Sequence, residues 1–450
     1  QVSVVTRLFE GDGLAPEHAL VSERLRPGLT IDRIATGNRR YLEKDALAED
    51  MPAFIEAFCA HLARLPRLPD VIHAHFSDAA AVAAEARQRF AIPFVYTPHA
   101  LGIDKRAHQG PCPALDARIA AEERAIAQAD AIIVSTRDEA DRQVHAYRAS
   151  TSARIHCIPP GVPSRDAASM ADGSLVDRLD QWLDDPAKPI VLAIARPVAK
   201  KNLIGLARAY AGSPGLQTAA NLVILAGQHD GPGSAEERGV LAELQALAAQ
   251  PAIRGRIALP PTHDGRDVAA LYDLAAQGGV FVNPAFHEPF GLTLIEAAAA
   301  GVPVVATQAG GPSEIVAALC HGLLIDPRDD ESIADACLAI LNDPERHARM
   351  SASGRRGVAR YDWQRYAAES IALYARLPRA PSLLASDIDH TLTGCPVGAH
   401  GFAQWRRSSS LPFVVATGRS FAMARMILSQ WGLPEPDAFI TDVGSRIMLK

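Results

Sequence analysis

No apolar run in this chain approaches the roughly twenty residues that a membrane-spanning helix needs. The stretch at residues 79–86 is alanine-rich but is interrupted by charge, which reads as helix. No signal peptide opens the chain. Basic blocks are missing as well. With 45 Lys and Arg against 51 Asp and Glu the formal net charge is −6, so a nucleic-acid partner has no electrostatic footprint. Any anionic ligand must meet cations placed locally. Cysteine is sparse: Cys59, Cys112, Cys157, Cys320, Cys337 and Cys395 lie far apart, with no CxxC pair and no Cys/His cluster at zinc spacing. They read as small buried hydrophobes in a reducing compartment. Cytoplasm is the expected location.

What the chain does have is length and rhythm. At 450 residues and 48% hydrophobic content it is too long for one ordinary core and asks for two or three domains. Short apolar β-branched runs alternate with amphipathic stretches. Strands are expected at residues 2–6, 71–76, 94–97, 131–135 and 154–158, with helices at 52–64, 79–90, 115–129 and 137–147. A turn-rich break covers 159–173, and Asp184-Asp185-Pro186 opens a second series. Its strands are expected at 190–195, 222–226, 257–259, 280–283, 302–306 and 323–325. Its helices include 203–210, 235–248, 268–276, 292–300 and 333–341. Three helical segments end near Leu377, and a third start follows at Leu383.

Strands apolar throughout, separated by helices, indicate parallel sheets covered on both faces. The fold class is therefore α/β: two Rossmann-like domains facing each other across a cleft, followed by the start of a third α/β domain. The expected domains are residues 1–165, residues 186–360, a helix and linker at 361–380, and residues 381–450. Both ends read as cut, since residue 1 is Gln, residues 2–6 already form a strand, and the chain stops after another strand-like run.

The most informative segment is Asn283-Pro-Ala-Phe-His-Glu-Pro-Phe-Gly-Leu-Thr-Leu-Ile-Glu296, a strand, a turn and a helix. Gly291 permits close approach of a ligand to the backbone. The N–H groups of Leu292 and Thr293 would sit at a helix N-terminus, a natural seat for a diphosphate. Glu296 could reach ribose hydroxyls and Glu288 the hydroxyls of a transferred sugar. Upstream, Arg196-Pro-Val-Ala-Lys-Lys-Asn202 follows the first strand of the second domain. It puts Arg196 and Lys201 at a strand's carboxyl end, where open α/β sheets bind ligands. Such cations would neutralise charge on a departing nucleoside diphosphate. Lys200 reads as a solvated turn residue. Gly310-Gly311-Pro312-Ser313-Glu314 adds a second Gly-rich strand-to-helix turn.

These stretches, with Gly322-Leu-Leu-Ile-Asp-Pro327, resemble the donor domain of the large retaining glycosyltransferase family with the two-Rossmann, or GT-B, fold. Within it they are most similar to the sucrose-phosphate synthases. The resemblance covers almost the whole chain. It implies transfer of glucose from UDP-glucose to fructose 6-phosphate, giving sucrose 6-phosphate. A GDP-mannose-dependent sibling and an inactive UDP-sugar-binding scaffold are the alternatives. It further implies that no metal is required for the transfer, and that a sucrose-phosphate phosphatase, separate or fused, is a partner.

On the acceptor side, His73-Ala-His75-Phe-Ser-Asp78 and Thr97-Pro-His99-Ala-Leu-Gly-Ile-Asp-Lys105 both end strands. The second is similar to the family's PHSLGRDK motif, by which His99 contacts the transferred sugar and Lys105 the acceptor phosphate. Arg118 and Arg137 are further phosphate candidates. Ala100, Ile103 and Ser77 depart from the family pattern, all on this side. The family's first strand and Gly-rich loop are not in the sequence.

The third segment carries Ser386-Asp387-Ile-Asp389-His-Thr391 and, after a later strand, Thr417-Gly-Arg-Ser420. It resembles the haloacid-dehalogenase-like phosphatases, most of all sucrose-phosphate phosphatase. By that resemblance Asp387 is nucleophile and Mg²⁺ ligand, Asp389 shuttles a proton and contributes to the Mg²⁺ site, and Thr417 holds the phosphoryl group. The family's later Lys and distal acidic ligands lie beyond Lys450, so phosphatase activity is not expected.

Overall fold

The structure, a computed structural model, describes residues 1–11, 16–42, 46–110, 112–162, 175–229, 233–378, 383–409 and 411–449. Most of the expected break at 159–173 lies outside them. The chain divides into two compact units, Gln1–Leu377 and Pro378–Lys450.

The first unit holds two lobes. In the first lobe, β1 (Val2–Arg7), β2 (Ser22–Arg26) and β3 (Leu29–Ile34) form a sheet of order β1-β3-β2, with β1 parallel and β2 antiparallel to β3. β4 (Ile72–His75), β5 (Phe94–Thr97), β6 (Ala131–Val134) and β7 (Ile155–Cys157) form an all-parallel sheet in chain order. The helices Leu47–Arg64 and Phe76–Phe90 pack Phe58, Leu62, Val82 and Ala86 against Ile34, with Val5 and Ile72 alongside, so one apolar cluster serves both sheets.

The second lobe is a six-stranded parallel sheet. It comprises β8 (Ile190–Ile194), β9 (Asn221–Leu225), β10 (Ile257–Ala258), β11 (Val280–Asn283), β12 (Val304–Thr307) and β13 (Gly322–Ile325), ordered β10-β9-β8-β11-β12-β13. Alternation splits its core. Val191 and Ala193 face one apolar cluster, Ile190 and Leu192 the other. The strand order reverses between β8 and β11, and ligand crevices of open α/β sheets form at the carboxyl ends beside such a reversal. The loops carrying Arg196, Lys201 and Glu288 leave from these ends.

The chain crosses between lobes at Val162, whose N–H donates to Tyr361 O (3.1 Å) and which bridges Asp362. A Cβ on Gly161 would stand 2.2 Å from Trp363 N, so only glycine allows this crossing. The helix Trp363–Tyr374 then returns to the first lobe. Leu373 and Leu377 pack there with Val95, Ile133 and Ile158.

Three local expectations are corrected. The helix expected at 137–147 is a π-turn, Glu139–Gln143, followed by the 3₁₀ turn Val144–Ala146; such turns concentrate at functional sites. The hairpin of β2 and β3 and the helix Gly102–Gln109 were not expected. Nor are all cysteines buried. Cys59 and Cys337 are, whereas Cys112, Cys157, Cys320 and Cys395 are exposed, because each ends or caps an element.

The second unit has β14 (Leu384–Ser386), β15 (Phe413–Ala416) and β16 (Ala438–Thr441) in parallel, with β17 (Arg446–Leu449) antiparallel to β16. The helices Pro396–Ser408 and Phe421–Gln430 complete it, around Ile388, Phe413, Val415 and Phe439.

Candidate active site

Gly291 caps the helix Leu292–Ala300 with φ of 104°, a left-handed conformation natural to glycine. The Leu294 N–H bonds back to Gly291 O (3.0 Å). The first two amides, on Leu292 and Thr293, have no partner among the described residues. Unsatisfied helix N-terminal amides carry partial positive charge and favour an anion. One turn on, Glu296 is largely buried, and burial raises its carboxyl above the usual range, opposed by a hydrogen bond from Tyr272. The Tyr272 hydroxyl lies 3.2 Å from both Glu296 Oε2 and Thr293 O. Tyr272 itself is buried against Phe281.

The turn before this helix is held by a neighbour. Gly310 bridges Glu288, whose N–H donates to Ala309 O (3.2 Å) and whose carbonyl accepts from Gly311 N (2.9 Å). A Cβ on Gly311 would stand 2.5 Å from Phe290 O and 2.6 Å from Pro289 O. The second glycine-rich turn therefore packs directly against the first.

Lys201 ion-pairs with Glu288, both side chains largely covered at 21% and 13% exposure. Asn283 Nδ2 donates to the same carboxylate (3.3 Å). Lys200 O accepts from Phe286 N (3.0 Å), tying the two loops together. Burial, with Lys201 and Arg196 close by, holds the Lys200 amine below the usual lysine range. Lys200 lies exposed on the turn Ala199–Lys201, as expected, beside the other two cations. Arg196 is exposed beside it. Chemically, the arrangement could receive an anion: three cations and two helix N-terminal amides lie near one paired carboxylate.

The first lobe contributes a histidine stack. His73 and His75, two apart on β4, stack at 4.4 Å between ring centroids, and His75 stacks on His99 at 5.0 Å. His75 Nδ1 lies 2.7 Å from His99 Nε2. His99 holds φ of 62°, an uncommon conformation for a residue with a side chain. Lys105 lies on the helix Gly102–Gln109, half-buried. Arg118 is committed elsewhere. Its guanidinium binds Glu122 (2.7 Å) and Ala100 O, while the same Glu122 accepts from Gly102 N (2.8 Å) and Tyr147. It braces the loop that follows His99. The Arg137 side chain is exposed, and its backbone N–H donates to Glu314 Oε2 (3.0 Å).

Glu314 joins the lobes, accepting also from Asp138 N (2.7 Å). Beside it, Arg142 pairs with Asp104 and Asp138, and His287 lies 2.7 Å from Arg142 Nη2 and 3.3 Å from Asp104. Burial works against ionised Asp138, but hydrogen bonds from His287 and Arg142 hold its carboxyl well below the usual range. The Arg142–His287 contact spans 145 residues and Tyr272 meets Glu296 across 24, so no local signal pointed to either, whereas Arg142 and Asp138 are only four apart.

In the second unit, Asp387 and Asp389 follow β14. Arg419 clamps Asp389 through two bonds of 2.8 and 2.7 Å, and Thr417 is buried with its Oγ1 3.3 Å from Arg419 N. Among the described residues no group of three or more His, Cys, Asp or Glu could hold a metal ion. Asp389, one of the two expected carboxylates, is thus paired with a cation and remains partly exposed.

Three protein-family profiles match consecutive stretches of the chain. They are Glycosyltransferase Family 4 over residues 1–165, Glycosyl transferases group 1 over 177–357, and Sucrose-6F-phosphate phosphohydrolase over 380–450. The sucrose-phosphate synthase of Zea mays is 34% identical over 406 residues, covering 75% of this chain and 38% of its own. A probable sucrose-phosphate synthase of Vicia faba is 33% identical over 427 residues, covering 80% and 40%. The chain thus spans about 40% of the length of the curated relatives it matches. The solved sucrose-phosphate synthase of Thermosynechococcus elongatus superposes with a TM-score of 0.69 at 27% identity, over 83% of this chain and 88% of that one. HepE of Anabaena, in complex with UDP and glucose, does so at 0.60 and 17% identity over 80% and 88%, a likeness of fold alone.

Residues 1–165 and 177–357 thus match glycosyltransferase profiles, and their fold is that of the GT-B class. Within that class the chain is similar to the sucrose-phosphate synthases, and its residues 380–450 match a sucrose-phosphate-phosphatase profile. Among the described residues no helix is long and apolar enough to cross a membrane.

Proposed function

We propose that the chain transfers glucose from UDP-glucose to fructose 6-phosphate with retention, releasing UDP and sucrose 6-phosphate. The observation that carries this reading is the pairing of Lys201 with Glu288 beside Arg196, Lys200 and the free amides of Leu292 and Thr293. These groups would receive the diphosphate, while Glu296 takes the ribose and Glu288 the glucose hydroxyls. His99 would face the glucose from the first lobe, with Lys105 and Arg137 toward the acceptor phosphate.

In the reaction the bond between glucose C1 and the β-phosphate oxygen breaks as the fructose hydroxyl attacks from the same face. Its proton passes to the departing phosphate oxygen. The protein positions the partners and stabilises charge on the leaving group, and on this reading the fixed cations serve in place of a metal. The relatives' names support the donor and acceptor.

The test is incubation of the full chain with fructose 6-phosphate and either UDP-glucose or GDP-mannose, with and without a chelator. UDP release that survives chelation is expected. Release of nucleoside diphosphate from GDP-mannose alone would overturn the assignment.

A further inference from the structure

His99 does not stand alone in the first lobe. Its Nε2 meets His75 Nδ1 at 2.7 Å and the two rings lie nearly parallel, 18° apart. Behind His75, His73 stacks at 26°, and both nitrogens of His73 are engaged, Nε2 with Thr97 Oγ1 (2.8 Å) and Nδ1 with the Tyr374 hydroxyl (2.7 Å). Tyr374 comes from the helix Trp363–Tyr374, 301 residues away in the chain. That helix begins at the lobe crossing, where Asp362 bridges Val162.

We infer that His75 is a positioning residue for His99, and that Tyr374 anchors it through His73, so that the helix returning from the second lobe sets the His99 ring. The inference rests on the reading of His99 as the residue facing the transferred sugar.

The argument is one of donors and acceptors. A hydrogen bond between two neutral imidazoles needs one N–H and one lone pair. The state of His75 therefore dictates which nitrogen of His99 carries the proton, and leaves His99 Nδ1 as the ring atom a sugar hydroxyl can meet. The His73 ring on one face of His75 and the bond to His99 at its edge fix the plane of His75, and hence the plane of its partner. The left-handed backbone at His99, with φ of 62°, costs free energy that this arrangement must offset. The groups facing the three rings are Phe76, 4.7 Å from His99 between ring centroids, Thr97 on β5, and Tyr374 on the returning helix. Burial, then the neighbouring imidazoles, brings His73 down to about 3 and His99 down to about 4, and burial lowers His75 as well. All three rings are neutral near pH 7, as the bonding scheme requires.

The experiment uses the full chain with isotope-labelled histidine, following the His99 ring resonances through a pH titration alongside initial rates with UDP-glucose and fructose 6-phosphate. His75→Ala removes both the bond and the neighbouring imidazole. The His99 midpoint should then rise from about 4 toward the ordinary 6.5, the acid limb of the rate should move up with it, and kcat should fall roughly tenfold, the size of one net hydrogen bond, with little change in donor KM. His75→Asn keeps a hydrogen-bonding atom near the Nδ1 position and should restore most of the rate. Tyr374→Phe keeps the ring and drops only the hydroxyl, and should lower kcat by a smaller factor. An unchanged His99 midpoint in His75→Ala, or a rate in Tyr374→Phe equal to wild type, overturns the inference. If His99→Ala retains the wild-type rate while His75→Ala still shifts the His99 midpoint, the functional reading of His99 falls and its orientation by His75 stands.

Discussion

Replacing Tyr272 by Phe deletes one oxygen and leaves the ring packed on Phe281, where the centroids lie 5.6 Å apart. The lost hydroxyl is shared between Glu296 Oε2 and Thr293 O at 3.2 Å each. Both distances are long for an O–H donor, so its value belongs at the low end of the range for bonds to charged groups, about 1.5 kcal/mol. Glu296 must be ionised to accept ribose hydroxyls, and burial already raises its carboxyl with only Tyr272 opposing. The variant should therefore bind UDP about tenfold more weakly at neutral pH, since 1.4 kcal/mol is a factor of ten, and the acid limb of its binding profile should lie at higher pH.

Stability follows the same sign. A carboxyl whose folded value is raised holds its proton more tightly in the folded state. Its contribution is full below the ordinary 4.5 and is lost as pH rises through the raised value. The Tm deficit of Tyr272→Phe relative to wild type should thus be small in acid and grow toward neutrality. Calorimetric titration with UDP at several pH values, together with thermal unfolding, reads both effects. UDP affinity within twofold of wild type throughout, or an acid limb displaced downward, would refute the reasoning.

Lys201→Met should lower kcat/KM by about 10²–10³-fold, the usual cost of removing one fixed electrostatic partner of a leaving group, as read from initial rates of UDP release. Gly311→Ala forces a Cβ against Phe290 O and Pro289 O and should destabilise the fold by about 1–3 kcal/mol in urea unfolding while weakening UDP binding. Arg142→Ala removes one of the groups that hold Asp138 ionised. Its stability deficit should be full above the ordinary aspartate value of 3.8 and shrink as pH falls below it, measured by denaturant unfolding at pH 7 and in acid.

In the second lobe β9, β11 and β12 were legible because each is a mostly apolar run buried on every residue, which no helix period explains. β11 coincides with its expected limits, 280–283, as does the helix Leu292–Ala300. β2 was not legible. Its sequence, Ser-Glu-Arg-Leu-Arg, is exposed on nearly every residue and carries no apolar alternation, so only pairing with β3 makes it a strand. The helix Gly102–Gln109 is short and polar and takes its place from Glu122, which holds Gly102 N. At the site, residue types and spacing pointed to Lys201 and Glu288 separately, but only the fold puts them in one ion pair. Arg118 has a basic side chain in the right neighbourhood, yet its partners Glu122 and Ala100 are set by how a helix meets a loop. Tyr272 and Tyr374 meet their partners across 24 and 301 residues, separations at which sequence carries no local signal.

The two lobes are joined by seams of different chemistry, and that difference has mechanical meaning. On one side Glu314 caps Arg137 and Asp138, Thr136 Oγ1 reaches Pro289 O at 3.4 Å, and Arg142 and His287 share two aspartates. Such polar contacts exchange water for protein partners, at about 1.5–3 kcal/mol where one group is charged, and are screened by salt where exposed. On the other side Leu373 and Leu377 are packed among Val95, Ile133 and Ile158, and each buried side chain of this kind contributes about 1.5–3 kcal/mol. An opening of the cleft that broke the polar contacts and kept the apolar ones would pivot about Val162 and the helix Trp363–Tyr374. The donor seat and the histidine stack would then separate or meet as the polar seam opens or closes, with the stack still tied to the pivot through Tyr374.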